Sequence, residues 1–137
     1  MKRWAYIATI VFGVLLVAGA AGTWWLVSDT LDNQRITVSD DADCAAGRTV
    51  RGPWSAYCQA RVIDAHTLDI TDGKTYAELD REDPLRQTAM NSSFLQASLF
   101  TSVLAFGVAG LAALAGVMFV LLGLGMKDVA EKTGEAT

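Results

Sequence analysis

Two long apolar runs bracket a polar middle, and they constrain this chain more than anything else in it. The first, Trp4 to Val27, holds no charged residue, and neither does the second, Phe94 to Met126. Each exceeds the ~20 residues that a helix needs to cross a hydrocarbon core of roughly 30 Å. The expected fold is therefore a mostly α membrane protein. It has a two-helix transmembrane hairpin and a small mixed extracytoplasmic loop domain, with a long second helix extending outside the membrane. The segments are a cytoplasmic N-terminus 1–3, a first span 4–27, an extracytoplasmic domain 28–93, a second span 94–126 and a cytoplasmic tail 127–137.

Orientation follows from the cations beside the spans. Lys2 and Arg3 precede the first, and Lys127 and Lys132 follow the second. The positive-inside bias puts both termini in the cytoplasm of a multi-pass cell-membrane protein. The loop carries twelve acids against seven bases, so it holds all of the negative balance. Its length is near the limit at which loop charge informs orientation, so the tails decide. A cleaved signal peptide is the alternative, with Ala18-Gly19-Ala20 as a small-residue cleavage site. The apolar run continues through Trp24 and Trp25, beyond a signal's ~7–15-residue apolar region, and favours an uncleaved anchor. Trp4 at one end and Trp24-Trp25 at the other suit the two membrane interfaces.

Cys44 and Cys58 both fall in the loop, and an even cysteine count in an oxidising compartment implies a disulfide. A metal site is the alternative, but it needs further ligands, and His66 is the one histidine. The alternation in Arg35–Ser39 predicts a short strand, broken by the acids Asp40, Asp41 and Asp43. Gly52-Pro53 marks a turn into a helix from Pro53 to Thr67, and Asp72-Gly73 marks another turn. Thr75 and Glu78 have capping-box spacing, which predicts a short helix over Tyr76 to Asp80. Asp83-Pro84 opens the last helix near residue 84, and nothing interrupts it before Lys127. At 1.5 Å per residue it would be roughly 65 Å long. The polar tail from Asp128 onward is expected to fray.

The second span carries small residues at steps of three and four: Ser98, Ser102, Ala105, Ala109, Ala112, Gly116 and Gly123. A 3.5-residue repeat predicts left-handed helix packing, and small side chains allow the close approach that packing in lipid requires. Ala18 and Gly22 offer a matching face on the first span, with Ala113 and Val120 off the seam. Gln96, Thr101 and Ser102 would make interhelical hydrogen bonds. The bland alternative is that small residues are simply common in membrane helices.

Other constellations are weak. His66 with Asp64 and Asp69 can be drawn as a metal cluster, but an iron site of two histidines and one carboxylate needs two histidines. Ser92 and Ser93 have no histidine base near them in sequence. The spans hold no ionisable group of the kind that ion pathways use, and the acidic balance argues against nucleic acid.

Several segments resemble one family of small two-span actinobacterial membrane proteins: Ile36–Ala42, Gly52–Tyr57, His66–Leu68, Gly73–Pro84 and Ala89–Ala109. The last two are the specific ones, and the resemblance covers roughly residues 30 to 125. That family is commonly labelled an aromatic ring-opening dioxygenase. The resemblance implies the two-span architecture, whereas the residues lack the ligands for such an iron centre. Both cysteine positions depart from the family pattern, which makes the disulfide a feature of this chain.

The expected function is a non-enzymatic accessory or scaffolding subunit of a larger cell-envelope complex, without catalytic, cofactor or metal residues. Its partners would be the bilayer and other membrane subunits, or a second copy through the second span. An outward-facing sensor or ligand-binding module, using the acidic loop and the Trp54–Tyr57 pair, is the alternative. An enzyme comes third.

Overall fold

The computed structural model describes residues 2–134. Met1 and the last three residues of the tail lie outside the described residues, as does the side chain of Lys2. Three helices are present: α1, Lys2–Asn33; α2, Pro53–Ile70; and α3, Arg86–Gly134. Two of them, α1 and α3, are long and apolar enough to cross a membrane. Among the described residues there is no strand, only one isolated bridge between Thr37 and Thr49. The chain divides into two compact units. One holds residues up to Trp25 with those from Gly107 on, and the other is Leu26–Phe106.

In the first unit α1 and α3 run antiparallel and meet through glycines. A Cβ on Gly13 would stand 2.6 Å from the Gly116 carbonyl oxygen and 2.8 Å from the Val120 nitrogen. A Cβ on Gly116 would stand 2.7 Å from the Gly13 oxygen, and one on Gly123 would stand 2.5 Å from Ile10 Cγ1. The approach between Gly13 and Gly116 is backbone to backbone, which only glycine permits, whereas Gly123 lies first against the Ile10 side chain and then against the Ile10 and Tyr6 backbone. The buried or half-buried positions recur at steps of three and four on both helices, as Tyr6, Ile10, Gly13, Val17 and Ala20 and as Ala109, Ala113, Gly116, Val120 and Gly123. Beside the glycine contact, Phe12 and Phe119 meet edge to face with centroids 5.1 Å apart.

This corrects two expectations. Ala18 and Gly22 are exposed, and a Cβ on Gly22 would meet nothing within 4 Å, so the partner face on α1 is the Gly13 face. Val120, expected off the seam, lies on it, because its side chain is among the atoms closest to Gly13, and Ala113, also expected off it, shares the half-buried repeat with Ala109 and Gly116. The small-residue pattern locates the approach but not the larger side chains that close around it.

The second unit packs Leu31 of α1 and Leu99 and Phe106 of α3 with Val38, Val50, Ala56, Cys58 and Ala60. α1 continues past Val27 to Asn33 and then reverses. Gln34 N donates to Leu31 O, Arg35 N donates to Asp32 O, and Arg35 takes a left-handed φ of 54°. Such a residue ends a helix and cannot begin a strand. The expected strand over Arg35–Ser39 is therefore replaced by the bridge at Thr37. Val38 and Val50, on the paired segments, are nearly fully buried.

α2 begins at Pro53 as expected and runs three residues past Thr67, to Ile70. Ser55 Oγ accepts from the Arg51 and Gly52 amides at 3.2 and 3.3 Å, which holds the turn that enters the helix. Asp72 and Gly73 both adopt left-handed φ in the turn after α2.

The expected short helix over Tyr76–Asp80 is absent, and the segment consists of turns. Half of the capping motif still forms, with Glu78 Oε2 accepting from the Thr75 amide at 2.8 Å. The Arg86 guanidinium donates to the Leu79 carbonyl and sits 4.3 Å over the Tyr76 ring. It also donates to the Tyr76 carbonyl at 3.4 Å, the acceptor that the expected helix would use for its first turn. Asp83 Oδ1 accepts from the Leu85 amide at 2.8 Å, and the helix proper starts at Arg86. α3 then runs 49 residues, about 73 Å at the usual rise. It is helical from Asp128 to Gly134, where fraying was expected, and the rest of that expectation lies outside the described residues.

Glycine-to-alanine exchanges separate the close approaches from the incidental glycines. Gly13→Ala and Gly116→Ala should each cost about 1–3 kcal/mol through forced displacement of backbone. Gly22→Ala and Gly107→Ala meet open space and should be neutral or stabilising by about 0.5–1 kcal/mol. Thermal unfolding of the full chain in mild detergent checks the difference. Equal effects in the two pairs would contradict the packing.

Candidate functional site

The described residues bring chemistry-bearing side chains together mainly beside α2. A groove of about 420 Å³ is lined by Asp41, Asp43, Tyr57, Arg61 and His66, with Cys44 and Cys58 among its walls. Three ties hold the acidic segment to α2. Cys44 and Cys58 stand at disulfide distance, with Cα atoms 5.7 Å apart. The buried Gln59 accepts from the Ser39 amide at 3.2 Å. His66 Nε2 donates to Asp41 Oδ2 at 2.6 Å.

The last contact replaces the sequence grouping of His66 with Asp64 and Asp69. Those acids share the helix with His66, but its partner lies 25 residues earlier, on the loop. The hydrogen bond from His66 holds the Asp41 carboxyl below its usual range, and the Asp41 backbone and the His66 charge act in the same direction. Glu78 is also lowered, by the Thr75 backbone amide first and the Thr75 hydroxyl second. Among the described residues no group of three or more His, Cys, Asp or Glu side chains could hold a metal ion. Ser93 Oγ donates to the Ala89 carbonyl of its own helix.

The seam residues of α3 have different fates. Ala109, Gly116 and Gly123 are buried, and the two glycines lie against α1. Ser102, Ala105 and Ala112 are half-buried, while Ser98 is exposed. Thr101 and Ser102 were expected to bond between helices. Instead their hydroxyls donate to Ala97 O at 2.7 Å and Ser98 O at 3.2 Å, inside α3. This is the usual alternative for a hydroxyl one turn above a carbonyl.

The Trp54–Tyr57 pair singled out in the sequence is stacked, with centroids 5.9 Å apart and 25° between planes. Phe100 of α3 extends it edge-on to Tyr57 at 6.2 Å. Phe100 escaped the sequence reading because it lies inside an apolar run, where nothing distinguishes it. A second opening, beside the start of α2, is lined by Arg48, Arg51 and Trp54. Comparison with known proteins finds no matching family model, no matching curated protein and no matching solved structure.

Non-reducing peptide mapping should recover the Cys44 and Cys58 peptides linked, and free alkylation of both thiols would contradict the pairing. Cys44→Ala should lower stability by up to ~3 kcal/mol. A separate check follows the Asp41 carboxyl by NMR. It should titrate below ordinary aspartates and return toward them in His66→Ala. A depressed folded-state pKa means that this contact stabilises the fold above the ordinary aspartate range. That contribution is lost as pH falls through the lowered pKa. No change on removing His66 would dissociate the two groups.

Proposed function

We propose that the chain is an integral membrane protein crossing the bilayer twice, with both termini cytoplasmic and the 28–93 segment outside, serving as a non-enzymatic accessory or scaffolding subunit of a cell-envelope complex. The reading of two spans is supported by two apolar helices of spanning length and by the likeness of Gly73–Pro84 and Ala89–Ala109 to the two-span actinobacterial family. The orientation rests on Lys2, Arg3, Lys127 and Lys132.

One observation carries the scaffolding role. Measured inward from Met126 along α3, about 20 residues already span the hydrocarbon core. Phe94 and Leu95 lie well beyond that distance, yet they are 66% and 51% exposed. Adjacent exposed apolar side chains beyond the lipid support the reading that another protein covers this part of α3. A second reading, a ligand-binding module, draws on the groove where Arg61 and Asp43 flank the His66–Asp41 pair.

Topology is tested on a Cys44→Ala/Cys58→Ala background. Lys74→Cys should react with a membrane-impermeant reagent on intact cells, and Thr133→Cys should not. Reversed labelling would overturn the orientation. For function, the full chain purified in mild detergent should retain other membrane proteins. Phe94→Ser with Leu95→Ser should release them without unfolding the chain, since both positions are exposed. A wild-type preparation that is monodisperse and free of partners would contradict scaffolding and favour the ligand-binding reading.

A further inference from the structure

We infer that the opening formed by Arg48, Arg51 and Trp54 beside the start of α2 binds the phosphodiester headgroup of an anionic phospholipid, in the leaflet on the loop side of the membrane. The inference rests on the two-span reading and its orientation, and it adds a lipid partner that this reading does not specify.

Three independent features converge on this site. The first is charge. The loop holds twelve acids against seven bases, yet the opening, about 590 Å³, has two arginines and no acid in its lining. Among the described residues Arg48 makes no ion pair. Arg51 is engaged through Nε alone, 3.5 Å from Asp32 Oδ1, with both side chains largely solvent-accessible. Its terminal N–H groups remain for a second acceptor. Guanidinium groups match phosphate oxygens bidentately, which makes arginine pairs suited to this ligand.

The second feature is depth. Asp32 lies in the last turns of α1, five residues past Val27, where the apolar run ends. At the helical rise this is about 7 Å beyond the hydrocarbon edge, within the headgroup layer that thickens a bilayer from roughly 30 to 40–45 Å. The ion pair with Asp32 holds Arg51 at that level.

The third feature is the aromatic path. Trp54 is 61% exposed and stacks on Tyr57, which meets Phe100. Leu104, one turn further along α3, is also exposed. Cations, an indole and the exposed apolar side chains that lead along α3 toward the hydrocarbon therefore follow one another in the order that a phospholipid presents phosphate, glycerol and the start of its acyl chains. Indole rings favour this interface.

A free phosphate shares the headgroup's chemistry, so the experiment separates the two. Native mass spectrometry of the full chain released from mild detergent is carried out with added phosphatidylglycerol or phosphatidylcholine. The wild type should retain phosphatidylglycerol in preference, and excess inorganic phosphate should not displace it. Arg48→Gln with Arg51→Gln should lower that retention about tenfold, with the Cys44–Cys58 link intact. Arg48→Lys with Arg51→Lys keeps the charge but loses the bidentate fork, so its retention should fall between the wild type and the glutamine variant, which supplies a folded comparison if the glutamine variant is damaged. Equal retention of the two lipids by the wild type would overturn the inference, as would full retention by the glutamine variant. Displacement by phosphate would identify a site for free anions and overturn the lipid assignment. A chain that needs detergent but shows no lipid preference refutes this inference alone. A chain that stays soluble without detergent refutes the membrane reading.

Discussion

The backbone-to-backbone approach at Gly13 and Gly116 sets the register of α1 against α3. A helix pair without side chains at its crossing gains dispersion contacts and close backbone packing, and in lipid these replace the hydrophobic drive. The register then follows from the positions already described, with Gly123 opposite Ile10 and Phe119 beside Phe12. Steps of three and four on both helices keep the contact face aligned over several turns. Ala109, Gly116 and Gly123 are buried, and the two glycines are used against α1, while Ser98 stays exposed and Ser102, Ala105 and Ala112 are half-buried.

The same two helices also supply Leu31, Leu99 and Phe106 to the core of the loop unit. A segment of this size buries little apolar surface by itself. Its order comes from fixed anchors at several points: the disulfide, Gln59 on the Ser39 amide, His66 on Asp41, and Arg86 on the Leu79 carbonyl. Each ties an irregular segment to a helix. That is how a stretch without strands keeps Val38 and Val50 nearly inaccessible.

Much of this was legible in the sequence. The apolar runs, Pro53 as a helix start, the Asp72-Gly73 turn and the uninterrupted last helix all rest on local rules, and local rules suffice there. The failures arise where a neighbouring element or a group on another element overrides the local pattern, or where the pattern carries no mark. Arg35–Ser39 alternates like a strand, but α1 overruns Val27 and needs Arg35 to stop it. Thr75 and Glu78 have helix-start chemistry, but Arg86 donates to the Tyr76 carbonyl that the first turn of the helix would use. His66 has acids nearby in sequence, but its partner is on another element. The seam was visible as small residues, whereas Val120, which packs against Gly13, was not, because a valine in an apolar run carries no mark.

The most direct test of the central claim is oxidative cross-linking of paired cysteines across the hairpin, on the background lacking Cys44 and Cys58. Phe12→Cys with Phe119→Cys should link within a single chain, directly or through a short bis-thiol reagent that replaces the span of the two rings, since those rings are in contact. Gly22→Cys with Ala109→Cys should not link, because Gly22 faces away from every neighbour. A link between residues 22 and 109 with none between 12 and 119 would mean that the helices close through the Ala18–Gly22 face, and that the glycine approach does not set the register.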